Sequence, residues 1–224
     1  MKVTALVVAK APVAGLAKTR LAATLGDDAA ADIAAAALLD TLDAVSATGF
    51  DTRIVAMTGD LANASRREEL EAALASYTVV EQRGESFAER LLRAHEDAAG
   101  NPVFQIGMDT PQIRPALLEF SAELLTAKGR TVLGMAEDGG WWALGLPDPV
   151  LARALLGVPM SKPDTGARTL DALRSLGAQI EPLPVLRDVD HESDLHPVAA
   201  ECAAGSHFRD AVLRAIGGSA PVAR

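Results

Sequence analysis

Three basic side chains lie in and around a loop near the N-terminus. The segment KAPVAGLAKTRL, residues 10–21, follows an apolar run and carries Lys10, Lys18 and Arg20. Backbone N–H groups of a Gly-containing loop that opens a helix bind anions, and three cations could neutralise a triphosphate. The Walker A pattern and the G-x-G-x-x-G fingerprint are both absent, so the segment predicts an anion site without naming the nucleotide. The predicted nucleotide-binding residues are Ala9, Lys10, Pro12, Gly15, Lys18, Arg20 and Gly107.

The charge distribution favours a phosphate ligand. The chain of 224 residues has a net charge of −9. Residues 1–26 nevertheless contain four basic residues and no acid, whereas the rest holds 17 basic and 30 acidic residues, a net charge of −13. A cationic patch on an acidic protein suits a small anion and argues against binding to a nucleic acid polymer or a membrane. The alternative is a chance gap in acids, with solvated lysines on a connecting loop.

Carboxylates follow two predicted strands and could hold a divalent cation. Asp109 follows the apolar run VFQI after Gly107 and Met108, and Asp188 and Asp190 alternate in the segment DVD. Alternate residues of a strand face the same side, so both late carboxylates could point at one ion. Oxygen ligands suit Mg²⁺ or Mn²⁺ bridged to phosphates. We therefore expect Asp109, Asp190 and Asp188 to be metal ligands; a helix-capping Asp109 and a surface Asp pair are the alternatives.

The segment EDGGWW, residues 137–142, is the remaining candidate. Its two glycines predict a tight turn that lets a ligand approach the backbone. Asp138 could accept hydrogen bonds from hydroxyl groups or assist the metal, and one tryptophan could face a pocket. The alternative is an ordinary hairpin with a core tryptophan. The predicted acceptor-side residues are Asp138, Gly139, Gly140 and Trp141. The four histidines, including His95, form no metal-binding spacing and are predicted to be surface or packing residues.

Strand and helix patterns alternate between these segments. The predicted strands are Val3–Ala9, Arg53–Met57, Thr78–Glu81, Val103–Ile106, Thr131–Met135, Trp141–Leu146 and an irregular or edge strand Ile180–Val189. The first predicted helix begins near Leu16 and has a break at Gly26. Further helices are predicted over Leu61–Ser76, from the Ser86 capping box, over Pro115–Ala127, from a cap at Asp164 or Thr165 to Gly177, and over most of the tail from Ser193. This alternation predicts a mostly parallel sheet with helices on both faces and ligands beyond the carboxyl ends of the strands. The adjacent strands at 131–146 break the alternation and predict a mixed sheet.

Composition limits the class of protein. Hydrophobic residues make up 49% and aromatic residues 4%, which is typical of a globular core built from Ala, Val, Leu and Ile. No apolar run reaches the ~20 residues of a membrane helix, and the single Cys202 excludes an internal disulfide. We expect a cytoplasmic protein with one nucleotide-dependent transferase domain over residues 1–217 and a frayed tail at 218–224. The oligomeric state stays open, with a homodimer as one alternative.

The ordered segments resemble a known family. The stretches AKAPVAGLAKTRL, QIGMDTP, EDGGWWALGL, SKPDTGARTL and DVDHESDL run in family order from residue 9 to 195. They are similar to bacterial glycosyltransferase-A-like proteins often found beside arsenosugar-type gene clusters and, more distantly, to 2-phospho-lactate guanylyltransferases. The resemblance implies a single-domain α/β glycosyltransferase-A fold, the architecture of nucleotide-diphospho-sugar transferases.

The resemblance also implies roles for individual residues. Lys18 and Arg20 match the phosphate-binding basic pair, Asp109 the metal-binding Asp and Asp190 the late second metal position. Asp138 and Gly139 match the acceptor-side turn. The chain departs from the family pattern at Met108, at the tryptophan pair and at His191, where Ser, a tyrosine pair and Thr are more usual.

Three functions are compatible with these residues. The first expectation is nucleotidyl transfer from a nucleoside triphosphate to a small phosphorylated acceptor, with Lys18, Arg20 and Asp109 as catalytic residues and Mg²⁺ or Mn²⁺ as cofactor. The first alternative is glycosyl transfer from a nucleotide-sugar, for which Asp138 is the one candidate base. The remote alternative is a non-catalytic nucleotide-binding protein.

Overall fold

A seven-stranded sheet forms the centre of the protein. The computed structural model describes residues 1–217, so the prediction of a frayed tail at 218–224 lies outside the described residues. The strands are β1 Thr4–Lys10, β2 Thr52–Thr58, β3 Thr78–Glu81, β4 Val103–Gly107, β5 Thr131–Ala136, β6 Trp141–Leu146 and β7 Ile180–Leu186. Their order is β3-β2-β1-β4-β6-β5-β7, and β6 alone runs antiparallel to its neighbours. The predicted mixed, mostly parallel sheet is confirmed.

Eight α-helices surround the sheet in the described part of the chain. They are α1 Thr19–Leu25, α2 Asp27–Ser46, α3 Arg67–Leu74, α4 Phe87–Asp97, α5 Pro115–Ala127, α6 Thr165–Ser175, α7 Glu192–Glu201 and α8 His207–Gly217. Short 3-10 helices cover Leu61–Asn63 and Pro149–Gly157. None of these helices combines the length and apolar character that crossing a bilayer requires.

The core has a layer on each face of the sheet and a third, helical layer. Side chains of α2 and α5 pack on one face, whereas α4 and the 3-10 helix Pro149–Gly157 pack on the other. Fourteen of the 20 residues of α2 are buried, because its far side packs against α7 and α8. An Ala-rich helix that is apolar nearly all round is suited to burial between two layers. The helix therefore packs against the buried side of the loop that follows β1.

Two predicted helix boundaries are wrong because the backbone turns left-handed there. The helix predicted from Leu16 begins at Thr19, since Lys18 has φ 46°. The helix predicted over Leu61–Ser76 is interrupted, because Arg66 has φ 52° and the N–H of Ser65 donates to the carbonyl oxygen of Pro12 at 2.9 Å. The break at Gly26 and the capping box at Ser86 are confirmed.

The late strand ends earlier than predicted. Strand β7 stops at Leu186, so Asp188 and Asp190 lie in irregular backbone and the expectation of alternating strand residues is wrong. The N–H of Val189 donates to the carbonyl oxygen of Asp109 at 3.0 Å instead of continuing the pairing with β5. The edge position predicted from the two prolines is confirmed, since β7 ends the sheet. Asp164, one of the two predicted caps, occupies the N-cap position of α6, but its side chain makes no capping hydrogen bond.

Candidate active site

The ion cluster of Lys18, Arg20, Asp109 and Asp190 lies beyond the carboxyl ends of β1 and β4. Lys18 Nζ lies 2.7 Å from Asp109 Oδ2 and 2.8 Å from Asp190 Oδ1. Arg20 Nη1 lies 3.1 Å from Asp190 Oδ2. Asp109 and Asp190, which follow Lys18 by 91 and 172 positions in the sequence, therefore bind the same ammonium group.

Two backbone features bring this ion cluster together. The left-handed backbone of Lys18, at the start of α1, is an uncommon conformation for a residue with a side chain. The hydrogen bond from Val189 to Asp109 places Asp190 beside the end of β4. Asp194 Oδ2 then accepts hydrogen bonds from the N–H groups of Asp190 and His191 at 3.1 and 2.7 Å. The late segment is thus fixed from both sides.

The electrostatics of the ion cluster keep Lys18 charged. Burial opposes the charged form, because the Lys18 side chain is only 11% exposed, but attraction and hydrogen bonds from Asp109 and Asp190 outweigh it. The pKa of Lys18 is consequently held well above its ordinary value. In contrast, burial and then the negative charges of Asp138 and Asp190 raise the pKa of Asp188 from 3.8 to about 6.

Asp109, Asp188 and Asp190 offer the oxygen atoms that a divalent cation binds, although the three side chains do not form a compact group. Asp109 and Asp190 approach one point, because both bind the same ammonium. Hard oxygen donors are what Mg²⁺ and Mn²⁺ prefer. Within residues 1–217 the one group of three His, Cys, Asp or Glu side chains whose ligand atoms lie within 4.8 Å of one another is Asp40, Asp43 and His207, elsewhere in the molecule. Asp40 there accepts hydrogen bonds from the backbone at the start of α8.

Two cavities meet at this edge of the sheet. The charged cavity, about 470 Å³, is lined by the ion cluster together with Leu16, Thr19 and others. The apolar cavity, about 360 Å³, is lined among others by Val8, Phe87, Trp141, Trp142 and Met160. Lys10, Met108, Asp109 and Ser161 line both cavities. A ligand could therefore extend from one cavity into the other past Asp109.

The turn between β5 and β6 forms one wall of the apolar cavity. Asp138 Oδ1 accepts a hydrogen bond from the N–H of Gly140 at 2.7 Å, and Gly139 has φ 89°. The carbonyl oxygen of Gly139 accepts a hydrogen bond from the N–H of Gly166, at the start of α6, at 2.8 Å. The segment SKPDTG, residues 161–166, therefore braces this wall.

The structure brings most predicted site residues to the two cavities. The charged cavity holds Lys10, Lys18, Arg20, Asp109 and Asp190, and the apolar cavity holds Ala9, Lys10, Gly107, Asp109, Asp138, Gly140, Trp141 and Asp188. Pro12, Gly15 and Gly139 line neither cavity. They shape the loops instead: Pro12 binds Ser65 through its carbonyl oxygen, and Gly15 has φ 75°.

Sequence reasoning missed several polar residues of the apolar cavity. Gln82 Nε2 donates to the carbonyl oxygens of Ala9 and Ala56 at 2.8 and 2.9 Å, and thereby ties the end of β3 to β1 and β2. Gln105 lies inside β4 and is 2% exposed. Its signal was available, because it is the one polar residue of the apolar run VFQI.

This combination of sheet order and strand-end site defines a class of protein. The fold is that of nucleotide-diphospho-sugar transferases and nucleotidyltransferases. It is similar to an inferred nucleotide-diphospho-sugar transferase from Desulfovibrio desulfuricans G20, with a TM-score of 0.76 and 22% identity over 95% of this chain and 97% of that chain. The chain belongs to the bacterial family described as "Uncharacterized protein conserved in bacteria (DUF2064)", which matches residues 41–162, just over half of its length.

Two further solved structures share the fold. A nucleotidyl transferase from Methanothermobacter thermautotroptrophicus has a TM-score of 0.58 and 20% identity over 95% of this chain and 98% of that chain. CMP:2-keto-3-deoxy-manno-octonic acid synthetase complexed with CTP has a TM-score of 0.56 and 14% identity over 89% of this chain and 98% of that chain. No curated protein matches the sequence at a significant level. At these identities the likeness establishes the fold.

Proposed function

We propose that the protein is a metal-dependent nucleotidyltransferase that uses a nucleoside triphosphate and a small phosphorylated acceptor. The observation that carries the proposal is the ion cluster, in which Lys18 and Arg20 stand beside Asp109 and Asp190 at the strand ends. Two cations and two carboxylates at one point suit a polyphosphate that arrives with a divalent cation. The solved structures of a nucleotidyl transferase and of a CTP-bound synthetase with this fold support the same class.

The reaction exchanges one phosphorus–oxygen bond for another. An oxygen of the acceptor phosphate attacks the α-phosphorus of the triphosphate. The bond from the α-phosphorus to the bridging oxygen breaks, and pyrophosphate leaves with the electron pair. Lys18 and Arg20 neutralise the departing charge, and the backbone of residues 10–18 positions the phosphates.

Asp109 and Asp190 are the proposed ligands of Mg²⁺ or Mn²⁺, with Asp188 as a further ligand. Bound there, the cation would neutralise phosphate charge and orient the triphosphate. In the free protein Lys18 lies between the two main ligands. Entry of a metal–nucleotide complex would let Lys18 leave the carboxylates for the phosphates. The carboxylates would then face a positive charge both before and after the nucleotide binds, first from Lys18 and then from the cation.

Pyrophosphate release tests the proposal. The protein is incubated with Mg²⁺, each of the four common nucleoside triphosphates and a panel of glucose 1-phosphate, glycerol 3-phosphate and 2-phospholactate. The last probe follows the sequence resemblance to 2-phospho-lactate guanylyltransferases. Acceptor-dependent pyrophosphate release supports the proposal. Absence of release with every pair, together with nucleoside diphosphate release from a nucleotide-sugar, contradicts it.

Glycosyl transfer is the second candidate function, and one observation favours it. Asp138 lies in the apolar cavity on the side of Trp141, where a carboxylate could accept a proton from an acceptor hydroxyl group. The similar structure from Desulfovibrio desulfuricans G20 is described in terms of nucleotide-diphospho-sugars. Asp138 Oδ1 is already engaged by Gly140, however, and the ion cluster suits a triphosphate better. Substitution Asp138→Asn should abolish glycosyl transfer if Asp138 is that base.

A further inference from the structure

A buried polar pair includes Gln105, which lines the apolar cavity, and His95, which lies behind it. His95 of α4 is 0% exposed, and Gln105 of β4, which pairs with Leu144 of β6, is 2% exposed. His95 Nε2 and Gln105 Oε1 are 2.8 Å apart. Buried polar groups cost free energy unless they are hydrogen-bonded, and His95 Nδ1 has no partner in the described part of the chain. A leucine at position 105 would pack there without that cost, so packing alone does not explain the pair.

The partners fix the orientation of the Gln105 amide. Burial lowers the pKa of His95 to about 4, against the opposing hydrogen bond with Gln105, so the imidazole is neutral and has one N–H. If Nδ1 carried that hydrogen, a buried N–H donor would be left without an acceptor. Orphaned N–H groups are rarer than orphaned acceptors. The hydrogen is therefore on Nε2 and donates to Gln105 Oε1.

This orientation leaves a donor at the apolar cavity. Gln105 Nε2 makes no hydrogen bond within residues 1–217, and Gln105 lines the apolar cavity. Its two amide hydrogens are therefore presented to a ligand. Apolar neighbours, among them Val8 and Met160, reduce competition from water, which strengthens such a hydrogen bond.

The position in the sheet indicates which ligand Gln105 meets. Along the sheet, the residues that line the cavity extend from Gln82, just after β3, to Ala136 at the end of β5, and Gln105 lies on β4 next to β6. Lys18 and Arg20, which are proposed to neutralise the pyrophosphate, line the other cavity, and the two cavities meet at Asp109. The acceptor therefore extends from Asp109 along the β4–β6 end.

We propose that Gln105 is a specificity-determining residue that donates a hydrogen bond to an oxygen of the acceptor, and that His95 is the positioning residue that holds its amide. The proposal rests on the proposed function and adds the acceptor class: a phosphorylated compound with a hydroxyl or carbonyl oxygen at the end remote from the phosphate. Such an oxygen can accept a hydrogen bond from one of the two N–H groups that Gln105 offers.

Replacement of both partners tests the proposal without unfolding the core. Removing one partner leaves the other unsatisfied, whereas replacing both by apolar groups of similar shape is nearly neutral for stability. His95→Phe/Gln105→Leu should therefore melt close to the wild type. It should raise the acceptor KM about tenfold, the equivalent of one lost hydrogen bond, and leave the triphosphate KM and kcat unchanged. An unchanged acceptor KM, or a raised triphosphate KM, overturns the proposal. Gln179→Leu, which lies outside both cavities, is the matched control.

A spectroscopic measurement keeps the test independent of turnover. The Gln105 side-chain amide signals of ¹⁵N-labelled protein are assigned by their absence in Gln105→Leu. They should shift when glucose 1-phosphate, glycerol 3-phosphate or 2-phospholactate is added, and not with CTP or GTP alone. Shifts with a nucleotide alone, or with none of the acceptor probes, overturn the proposal. Failure of the nucleotidyltransferase proposal would appear separately, as absence of pyrophosphate. In His95→Phe the shift caused by the acceptor probes should disappear, whereas a histidine that only fills the core would leave that shift unchanged.

Discussion

The two cavities differ in chemistry although they share a wall. The charged cavity is lined by ion pairs whose carboxylates are about one-third exposed: Asp109 by 37% and Asp190 by 33%. The apolar cavity combines packed apolar side chains and a backbone turn with single polar groups, among them Gln105. Phosphates are common to all nucleotides, so under the proposed function the charged cavity would supply affinity and catalysis but little discrimination. The choice of acceptor would then come from the apolar cavity.

Substitution of Asp109 should give the largest effect and test whether the shared wall is catalytic. Asp109→Asn keeps the shape of the side chain and the backbone bond to Val189, but removes the charge. We expect turnover to fall about 10³-fold, since a metal ion contributes several kcal/mol of charge stabilisation. Pyrophosphate release measures the effect. Asp164→Asn, which lies outside both cavities, should be unaffected. Turnover of Asp109→Asn within tenfold of the wild type would remove this residue from the catalytic machinery.

The buried His95 should make the free energy of unfolding decrease in acid. His95 has a pKa of about 4 in the folded protein and an ordinary value of 6.5. Between these values the unfolded chain binds a proton that the native protein does not, so stability falls as pH decreases from 6.5 towards 4. We expect a loss of about 3 kcal/mol over this range. Urea denaturation at pH 7.5 and pH 4.5 measures it.

The matched variants for this prediction are His95→Phe/Gln105→Leu and His196→Gln. The first should lose this part of the pH dependence. The second removes an exposed histidine and should keep it. Identical pH profiles for the wild type and the double variant would contradict the prediction.

Lys18 should matter for folding as well as for phosphate binding. Lys18→Ala leaves two facing carboxylates without their cation. We expect a loss of about 2 kcal/mol, less than for a fully buried ion pair because Asp109 and Asp190 are partly exposed. Lys18→Gly should recover about 1 kcal/mol, since φ 46° strains any side chain. Thermal unfolding with and without Mg²⁺ measures both; Mg²⁺ should stabilise the variants more than the wild type. Equal stability of Lys18→Ala and wild type would show that the cluster does not hold the loop.

Arg20 should give the smallest effect and separate affinity from stability. Its side chain is 66% exposed, so loss of its ion pair with Asp190 should change stability by less than about 0.5 kcal/mol. The KM for the triphosphate should rise about fivefold at low salt and less at high salt. Arg67→Ala, which breaks a similarly exposed ion pair with Glu71, is the control. A larger change in stability than in KM would make Arg20 a structural residue.

The strand-end rule explains why much of the site could be predicted. Buried strands are visible as apolar runs, and polar residues shortly after them, such as Asp109 and Asp138, meet at one edge of a parallel sheet. This rule predicted that the loop after β1, Asp109 and the turn at Asp138 lie at the same edge, and the structure shows them there. The metal itself, the cytoplasmic location and the residue roles stay predictions.

Long-range contacts account for what the sequence could not predict. Lys18 binds two carboxylates that lie far along the chain, and no local pattern specifies this contact. The segment 187–190 leaves the sheet because Val189 bonds to the loop after β4, which the local alternation of Asp188 and Asp190 does not reveal. Gln105 stands out in the sequence as a polar residue in an apolar run. Its role could not be predicted from that run, because its partner His95 lies on another element.

The glycine contact between the β5–β6 turn and α6 limits how this protein could evolve. A Cβ on Gly139 would overlap the carbonyl oxygen of Pro163, and a Cβ on Gly166 would lie 2.6 Å from the carbonyl oxygen of Gly140. Neither glycine can be exchanged without moving backbone, so this wall offers no positions for gradual change. Diversification of the acceptor, in nature or in a directed-evolution library, must proceed through side chains such as Phe87 and Met160 on the other walls. Libraries that spare the two glycines should therefore yield more folded variants per clone.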